Sequence, residues 1–223
     1  MSKTILVVAA HSDDEALGCA GTLARHVAEG DTVHAVFLAD GVSSRESYNP
    51  EELNQRMKAT EQARKILGIH SLEYLNLPDN KLDSLPLIDI IQPLEKVIAS
   101  IDPQVIYTHH NGDLNVDHRL THQAVLTACR PLPNSRVKEI LTFEVMSSTE
   151  WNSPNHLPFL PNLFVDISKY LDEKIGALQA YALEMRNSPH SRSIEHLRSL
   201  AQHRGHCIGV EAAEAFMVIR IVR

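Results

Sequence analysis

Little cysteine, few aromatics and no long apolar run set the first limits on this chain of 223 residues. Cys19, Cys129 and Cys207 are too few, and odd in number, for a disulfide framework, and none forms the C-x-x-C spacing of a cysteine-based zinc site. They are expected to be reduced thiols. No apolar stretch approaches the roughly 18 residues that span a bilayer, and Met1-Ser2-Lys3-Thr4 does not open a hydrophobic signal region. The expected location is cytoplasmic, with no membrane span. Runs of Lys or Arg are missing, and 28 acidic against 21 basic residues leave a net charge of −7, so the sequence offers no footprint for a nucleic-acid backbone. Nucleic acid is excluded as an expected partner. Repeats, low-complexity tracts and linkers are also absent, and a 43% hydrophobic composition suits one domain over residues 1–223 with a sizeable core.

Periodic segments fill most of the chain. Thr4 to Ala10 is nearly continuous in apolar and β-branched residues, the pattern of a strand covered on both faces of a parallel sheet. From Asp14 onward, Leu17, Gly21, Ala24 and Ala28 recur at helical spacing until Gly30, and Thr32 to Ala39 reads as the next strand. After a polar loop from Asp40 to Tyr48, Asn49-Pro50-Glu51-Glu52 supplies a cap, a first-turn proline and early acids for a helix closing at Leu67-Gly68. A strand near Glu73 to Leu77, a helix from about Pro86 to Ser100, a strand from Val105 to His109 and a helix from about His118 to Cys129 follow. Further strands are expected at Ile140 to Val145 and Leu163 to Ile167, separated by a loop around Trp151 and Pro154. Ser168 is read as the cap of a helix running to Arg186, ahead of a helix from Ser193 to about His203 and a last strand from Ala215 to Val222. The alternation predicts an α/β fold, a Rossmann-like three-layer sandwich with a largely parallel sheet. Ligands of such folds bind beyond the carboxyl ends of the strands, here after Ala10, Ala39, Leu77 and His109.

Two of those strand ends carry dense polar clusters. His11-Ser12-Asp13-Asp14-Glu15 follows the first strand, and the run from His109 to His118 follows the fourth. Two histidines and one carboxylate, with a position left for water, form the ligand set of a catalytic zinc site, which assigns His11, Asp14 and His118 as ligands. Zinc is the expected cofactor, although an N/O ligand set also accepts another divalent metal. Neighbouring side chains on a turn diverge, so Asp13 is free to act as a general base in metal-assisted amide hydrolysis. Taken singly, the same acids fit the positive end of the following helix, and His118 or His122 fits an exposed or capping place. The coincidence of two clusters at two strand ends favours a metal site.

The His11-to-Glu15 run, with the strand before it and Leu17-Gly18-Cys19-Ala20-Gly21 after it, resembles the first signature of the zinc-dependent LmbE-like, or PIG-L, deacetylases, usually His-Pro-Asp-Asp-Glu. Asn115-Val116-Asp117-His118 is similar to their second signature, His-Pro-Asp-His. The resemblance implies a Rossmann-like sheet and N-deacetylation of an acetylated amino sugar or its conjugate. It makes His11, Asp14 and His118 the zinc ligands, Asp13 the base, and Asp117 a proton-relay group or a support behind a ligand. Ser12 replaces the usual proline, and Asn115 replaces a histidine that assists the oxyanion or proton transfer. The Asn115 amide retains a donor for an oxyanion but is no acid. His109, His110 or a histidine of the C-terminal third is a candidate for the vacated role. The family often places an arginine near the substrate where Arg56 stands, although a solvent-facing arginine is the ordinary placement. Asp40 is a candidate for a sugar hydroxyl or a loop cap, His110 for a further substrate contact, and Asp113 for ordering the second loop or closing an Asx turn. The segments Pro189 to Arg192 and His203 to His206 are candidates for the substrate entrance.

The small-molecule partner expected is thus an N-acetyl amino sugar or glycoconjugate, and a homo-oligomer is compatible with the domain. A signalling receiver domain needs a separate phosphoacceptor aspartate and a late lysine, which are not found. A dinucleotide-binding fold needs a G-x-G-x-x-G turn that Gly18 and Gly21 do not form. The alternative that the Asn115 departure keeps open is a catalytically silent metal-binding homologue.

Overall fold

The run of β-branched residues at the start of the chain becomes the middle of a seven-stranded sheet. The computed structural model describes residues 2–44, 50–133, 135–153 and 156–223. In chain order these form β1 (Thr4–Ala9), α1 (Asp14–Ala28), β2 (Thr32–Ala39), α2 (Pro50–Leu67), β3 (Ser71–Leu77), α3 (Leu87–Ile101), β4 (Val105–His109), α4 (Val116–Ala128), β5 (Glu139–Phe143), β6 (Leu163–Asp166), α5 (Leu171–Ala180), α6 (Ile194–His206) and β7 (Ala213–Ile221). A single 3-10 turn, Leu82–Ser84, precedes α3. The strand order is β3-β2-β1-β4-β5-β7-β6. The first five strands pair in parallel, whereas β7 runs antiparallel to both β5 and β6. The expected α/β Rossmann-like sandwich with a largely parallel sheet is the fold observed.

Alternation along β1 divides the core. Ile5, Val7 and Ala9 face a cluster with α1, α2, α5 and Leu197 of α6, while Leu6 and Val8 face α3 and α4. Both faces are covered, which is why β1 is apolar from Ile5 to Ala9. Strand order reverses between β1 and β4, so the loops after them, residues 10–13 and 110–115, open a crevice at one sheet edge. Among the described residues no helix is long and apolar enough to cross a membrane.

Several boundaries differ from the pattern reading. Helix α4 begins at Val116, because Asn115 accepts from the Asp117 amide and caps it, so Asp117 and His118 lie in its first turn. Helix α5 ends at Ala180 rather than Arg186. Ser168 does not cap it: its hydroxyl donates to Asp166 Oδ1 at 2.6 Å. Ser193 does cap α6, accepting from the His196 amide. The expected cap Asn49 and the loop residue Pro154 lie outside the described residues.

Candidate metal centre and catalytic cavity

The turn after β1 is built from strained backbone and buried charge. Asp13 adopts φ 137°, ψ −23°, a conformation that L-residues avoid. Interactions around it hold it there: its amide donates to Glu15 Oε2 at 3.0 Å, Arg56 Nη2 donates to Oδ1 at 3.0 Å, and Arg192 Nη1 donates to Oδ2 at 2.8 Å. A strained residue fixed by so many partners is the kind of site where function concentrates. Burial raises the Asp13 carboxyl above its ordinary pKa, against the pull of the two arginines.

Asp14 points the other way. Its Oδ2 accepts from the His11 amide at 2.9 Å and lies 3.3 Å from His11 Nδ1, 3.4 Å from His118 Nε2 and 3.4 Å from His109 Nε2. Burial opposes its ionisation, yet the imidazoles of His118 and His109 hold it well below the usual carboxylate range. Its second oxygen, Oδ1, is buried without a hydrogen-bond partner. Ligand atoms of His11, Asp14 and His118 all lie within 4.8 Å of one another. Two imidazole nitrogens and a carboxylate, one of whose oxygens is orphaned, suit a divalent metal.

Each histidine of this set is oriented from behind by carboxylates. His11 Nε2 lies 3.1 Å from both Asp79 Oδ1 and Asp117 Oδ2, and His118 Nδ1 lies 3.2 Å from Asp113 Oδ2. Burial would lower both histidines, but the carboxylates lift His11 well above its ordinary value and His118 to about 9. The same contacts offset burial at Asp79, held at about 2 by His11 and Ser44. Such carboxylate–histidine pairs fix the ring orientation that a metal site requires. Asp117 also accepts from the amides of Asn80 at 2.7 Å and Leu82 at 3.1 Å, tying the loop after β3 to α4. Asp113 closes an Asx turn on the Asn115 amide at 2.8 Å and accepts from Ser148 and Thr149 hydroxyls, so it orders the loop and orients His118 at once. His11, Asp79 and Asp117 form a second cluster of ligand-type atoms, but the backbone amides on Asp117 make that cluster a brace behind His11.

A cavity of about 380 Å³ opens over this arrangement, and His11, Asp13, Arg56, Asn115 and His118 line it. Asp14 and Asp117 lie buried beneath. Two expected substrate contacts are not brought to it. Asp40 Oδ1 accepts from the amides of Val42 and Ser43, both at 2.9 Å, which is the loop-cap reading, and His110 bonds the Leu157 carbonyl at 2.9 Å. Neither lines the cavity among the described residues. Arg56 is buried rather than solvent-facing. Its five N–H donors are all engaged, on Ser12 Oγ and O, Gly41 O, Asp13 and Glu184, so it serves as a support for Asp13 rather than a free sugar contact. Among the described residues no histidine besides His11 and His118 lines the cavity to replace Asn115: His109 accepts from the Ala10 amide, and His122 Nδ1 bonds the His109 carbonyl.

Sequence reading missed Asp79, Asn80 and Glu184, all lining the cavity. Asp79 had a signal, since it stands two residues beyond β3 at the same sheet edge. Glu184 had none. For Arg192, whose segment is an expected substrate entrance and which does line the cavity, only the contact with Asp13 had none, because the packing of the C-terminal third makes it.

Comparison with known proteins is consistent with this fold. Residues 6–129 match the family model described as PIG-L: GlcNAc-PI de-N-acetylase. The chain is 32% identical over 185 residues to the uncharacterized deacetylase YaiS of Escherichia coli (strain K12), covering 80% of this chain and 90% of that protein. It is 25% identical over 187 residues to the probable N-acetyl-alpha-D-glucosaminyl L-malate deacetylase 2 of Bacillus anthracis, covering 81% and 80%. Among solved structures, the conserved protein TT1542 from Thermus thermophilus superposes with a TM-score of 0.81 at 27% identity, over 99% of this chain and 96% of that one.

Proposed function

The chain belongs to the PIG-L, or LmbE-like, family, and from that premise we propose that it is a zinc-dependent hydrolase removing an acetyl group from an N-acetylated amino sugar or its conjugate. The observation that carries the reading is the division of labour in one turn: Asp14 faces His11 and His118, while Asp13 faces the cavity between two arginines. His11, Asp14 and His118 would hold the metal. A divalent ion there supplies a lowered pKa for water and a polarised acyl carbonyl.

Asp13 then acts as the base, accepting a proton from the attacking water. With no histidine beside Asn115, the same carboxyl is the group that returns the proton to the departing nitrogen. Its upward-shifted pKa suits a group that must both take and give a proton. The Asn115 amide donates to the carbonyl oxygen as charge develops on it. Asp117 and Asp79 keep the His11 ring in place. Arg192, whose Nη1 is on Asp13 and whose Nε is on Ser147 Oγ at 2.6 Å, lines the cavity and forms the wall against the sugar.

The test is acetate release, with and without zinc, across free, nucleotide-linked and otherwise conjugated N-acetyl amino sugars. Replacing Asp13 by Asn is expected to remove turnover by at least about 10²-fold while zinc stays bound. Loss of metal in that variant would overturn the division of roles. The second reading, a silent metal-binding homologue, is favoured by one observation, the absence of a cavity-lining histidine where Asn115 stands; zinc binding with no acetate release across the panel would select it.

A further inference from the structure

The family match ends at residue 129, yet much of what braces the turn after β1 comes later in the chain. Tyr181 donates to Glu15 at 2.6 Å, Glu184 pairs with Arg56 at 3.0 Å, and Arg192 donates to Asp13. A fourth brace lies deeper, at a break in α1. Cys19 has φ −147°, ψ 16°, outside helical space, so α1 is two short helices joined at a kink. In an unbroken helix the Ala16 and Leu17 carbonyls would accept from the amides of Ala20 and Gly21. Instead Lys174 Nζ donates to those carbonyls at 3.2 and 2.9 Å, and Glu214 accepts from the amides of Gly21 and Thr22 at 3.1 and 2.7 Å. Lys174 and Glu214 meet at 2.6 Å, both buried. A cation thus sits on the carboxyl end of the first half and an anion on the amino end of the second, as each helix dipole favours. Side chains inserted into the i→i−4 ladder are an identifiable cause of such a break.

We propose that the Lys174–Glu214 pair is a positioning device for the metal site: by holding α1 open at Cys19 it sets where the first half of the helix directs Asp14. Without the pair, buried amides and carbonyls lose their partners, and closing the ladder is the nearest way to satisfy them. Closure would bring Cys19 into helical geometry and swing residues 14–18 against the second half. The second half is held against Ile167, one residue beyond β6, where a Cβ at Gly21 would lie 2.7 Å from Ile167 Cδ1, and the first half would have to leave its packing of Gly18 on Phe143 of β5. Metal ligands tolerate displacements of only about 0.5 Å, so Asp14 would lose its place beside His11 and His118. The inference rests on the reading of those three residues as ligands, and not on the identity of the acyl substrate.

The experiment measures affinity for Zn²⁺ alone, by competition with a chromophoric chelator, together with the thermal midpoint of the metal-free protein. The variants are Lys174→Met, Glu214→Gln and the double Lys174→Met/Glu214→Leu. Zinc affinity is expected to fall about tenfold or more in all three, while the double variant, free of an unpaired buried charge, melts near the parent. A pair with a merely structural role would move the midpoint and leave the zinc affinity of the folded protein unchanged. A folded double variant with parental zinc affinity therefore overturns the proposal. If the double variant does not fold, Glu214→Gln decides in the same way, since it keeps the side-chain shape and one acceptor. Lys174→Arg, a cation able to reach both carbonyls, is expected to restore most of the affinity. Acetate release on the same preparations separates the two readings. Weakened zinc binding in the variants with no acetate release by the parent removes the deacetylase reading alone; acetate release by the parent with unchanged zinc affinity in the variants removes this one alone.

Discussion

The Asn115 side chain acts at both of its polar atoms. Its Oδ1 caps α4 through the Asp117 amide at 2.8 Å, and its Nδ2 donates one hydrogen to Asn80 Oδ1 at 3.1 Å, leaving a second on a residue that lines the cavity. Serine is an equally good cap but carries no amide donor, so Asn115→Ser separates the two roles. Stability is expected to stay within about 0.5 kcal/mol of the parent, since the cap survives, while turnover falls about 10²-fold with the lost donor. Denaturant melts and acetate release on the same sample check it; a variant as active as the parent would free Asn115 of any part in the reaction. Glu15 offers a second test at this scale. Burial raises its carboxyl to about 7, with the Tyr181 hydroxyl opposing. The folded state therefore holds a proton that the unfolded chain has already released, and the contribution to stability, full below about pH 4.5, is lost as pH rises through 7. Glu15→Gln is expected to flatten the decline in thermal midpoint between about pH 5 and pH 8 that this group imposes.

Elements were most legible where one rule acted alone. The mainly apolar runs of β1, β2 and β4 needed only burial on two faces, and the crevice followed from their order. Boundaries were lost where a side chain competed with the backbone: Asn115 starts α4 two residues before His118, and Ser168 turns to Asp166 instead of capping α5. The break in α1 was illegible, because Leu17, Gly21, Ala24 and Ala28 keep helical spacing across it while Lys174 and Glu214 stand more than 150 residues away. The same segment reverses a propensity argument. Alanine is a better helix former than glycine by about 1 kcal/mol, so Gly18→Ala would be stabilising if α1 were free. A Cβ there would lie 2.3 Å from the buried ring of Phe143 in β5. Overpacking of this kind is expected to destabilise the fold by about 1–3 kcal/mol, with the sign read directly from the denaturation midpoint; a gain would show that α1 stands off the sheet.

At the scale of the whole molecule, the parallel sheet brings two loops from distant parts of the chain to one edge, and the C-terminal third closes over them. Metal binding is the property that this convergence should make measurable in the fold as a unit. His118 is lifted from 6.5 to about 9 by Asp14 and Asp113 against burial, and His11 is lifted as well. A histidine must give up its proton to ligate, so zinc binding is expected to release protons and to strengthen as pH rises towards about 9. The metal-free protein should show the opposite trend. His118 binds its proton more tightly folded than unfolded, so its contribution to stability is full below pH 6.5 and fades as pH climbs through 9. Zinc at 100 times its dissociation constant adds about 2.7 kcal/mol to the fold. The zinc-induced rise in thermal midpoint, at fixed total zinc below saturation, should therefore grow from about pH 6 to about pH 8. His118→Ala should weaken zinc binding and remove that residue's share of the pH dependence of the metal-free midpoint between about pH 6.5 and pH 9, leaving the shares of His11 and Glu15. Zinc affinity that stays flat across that range in the parent would take both His118 and His11 out of the ligand set.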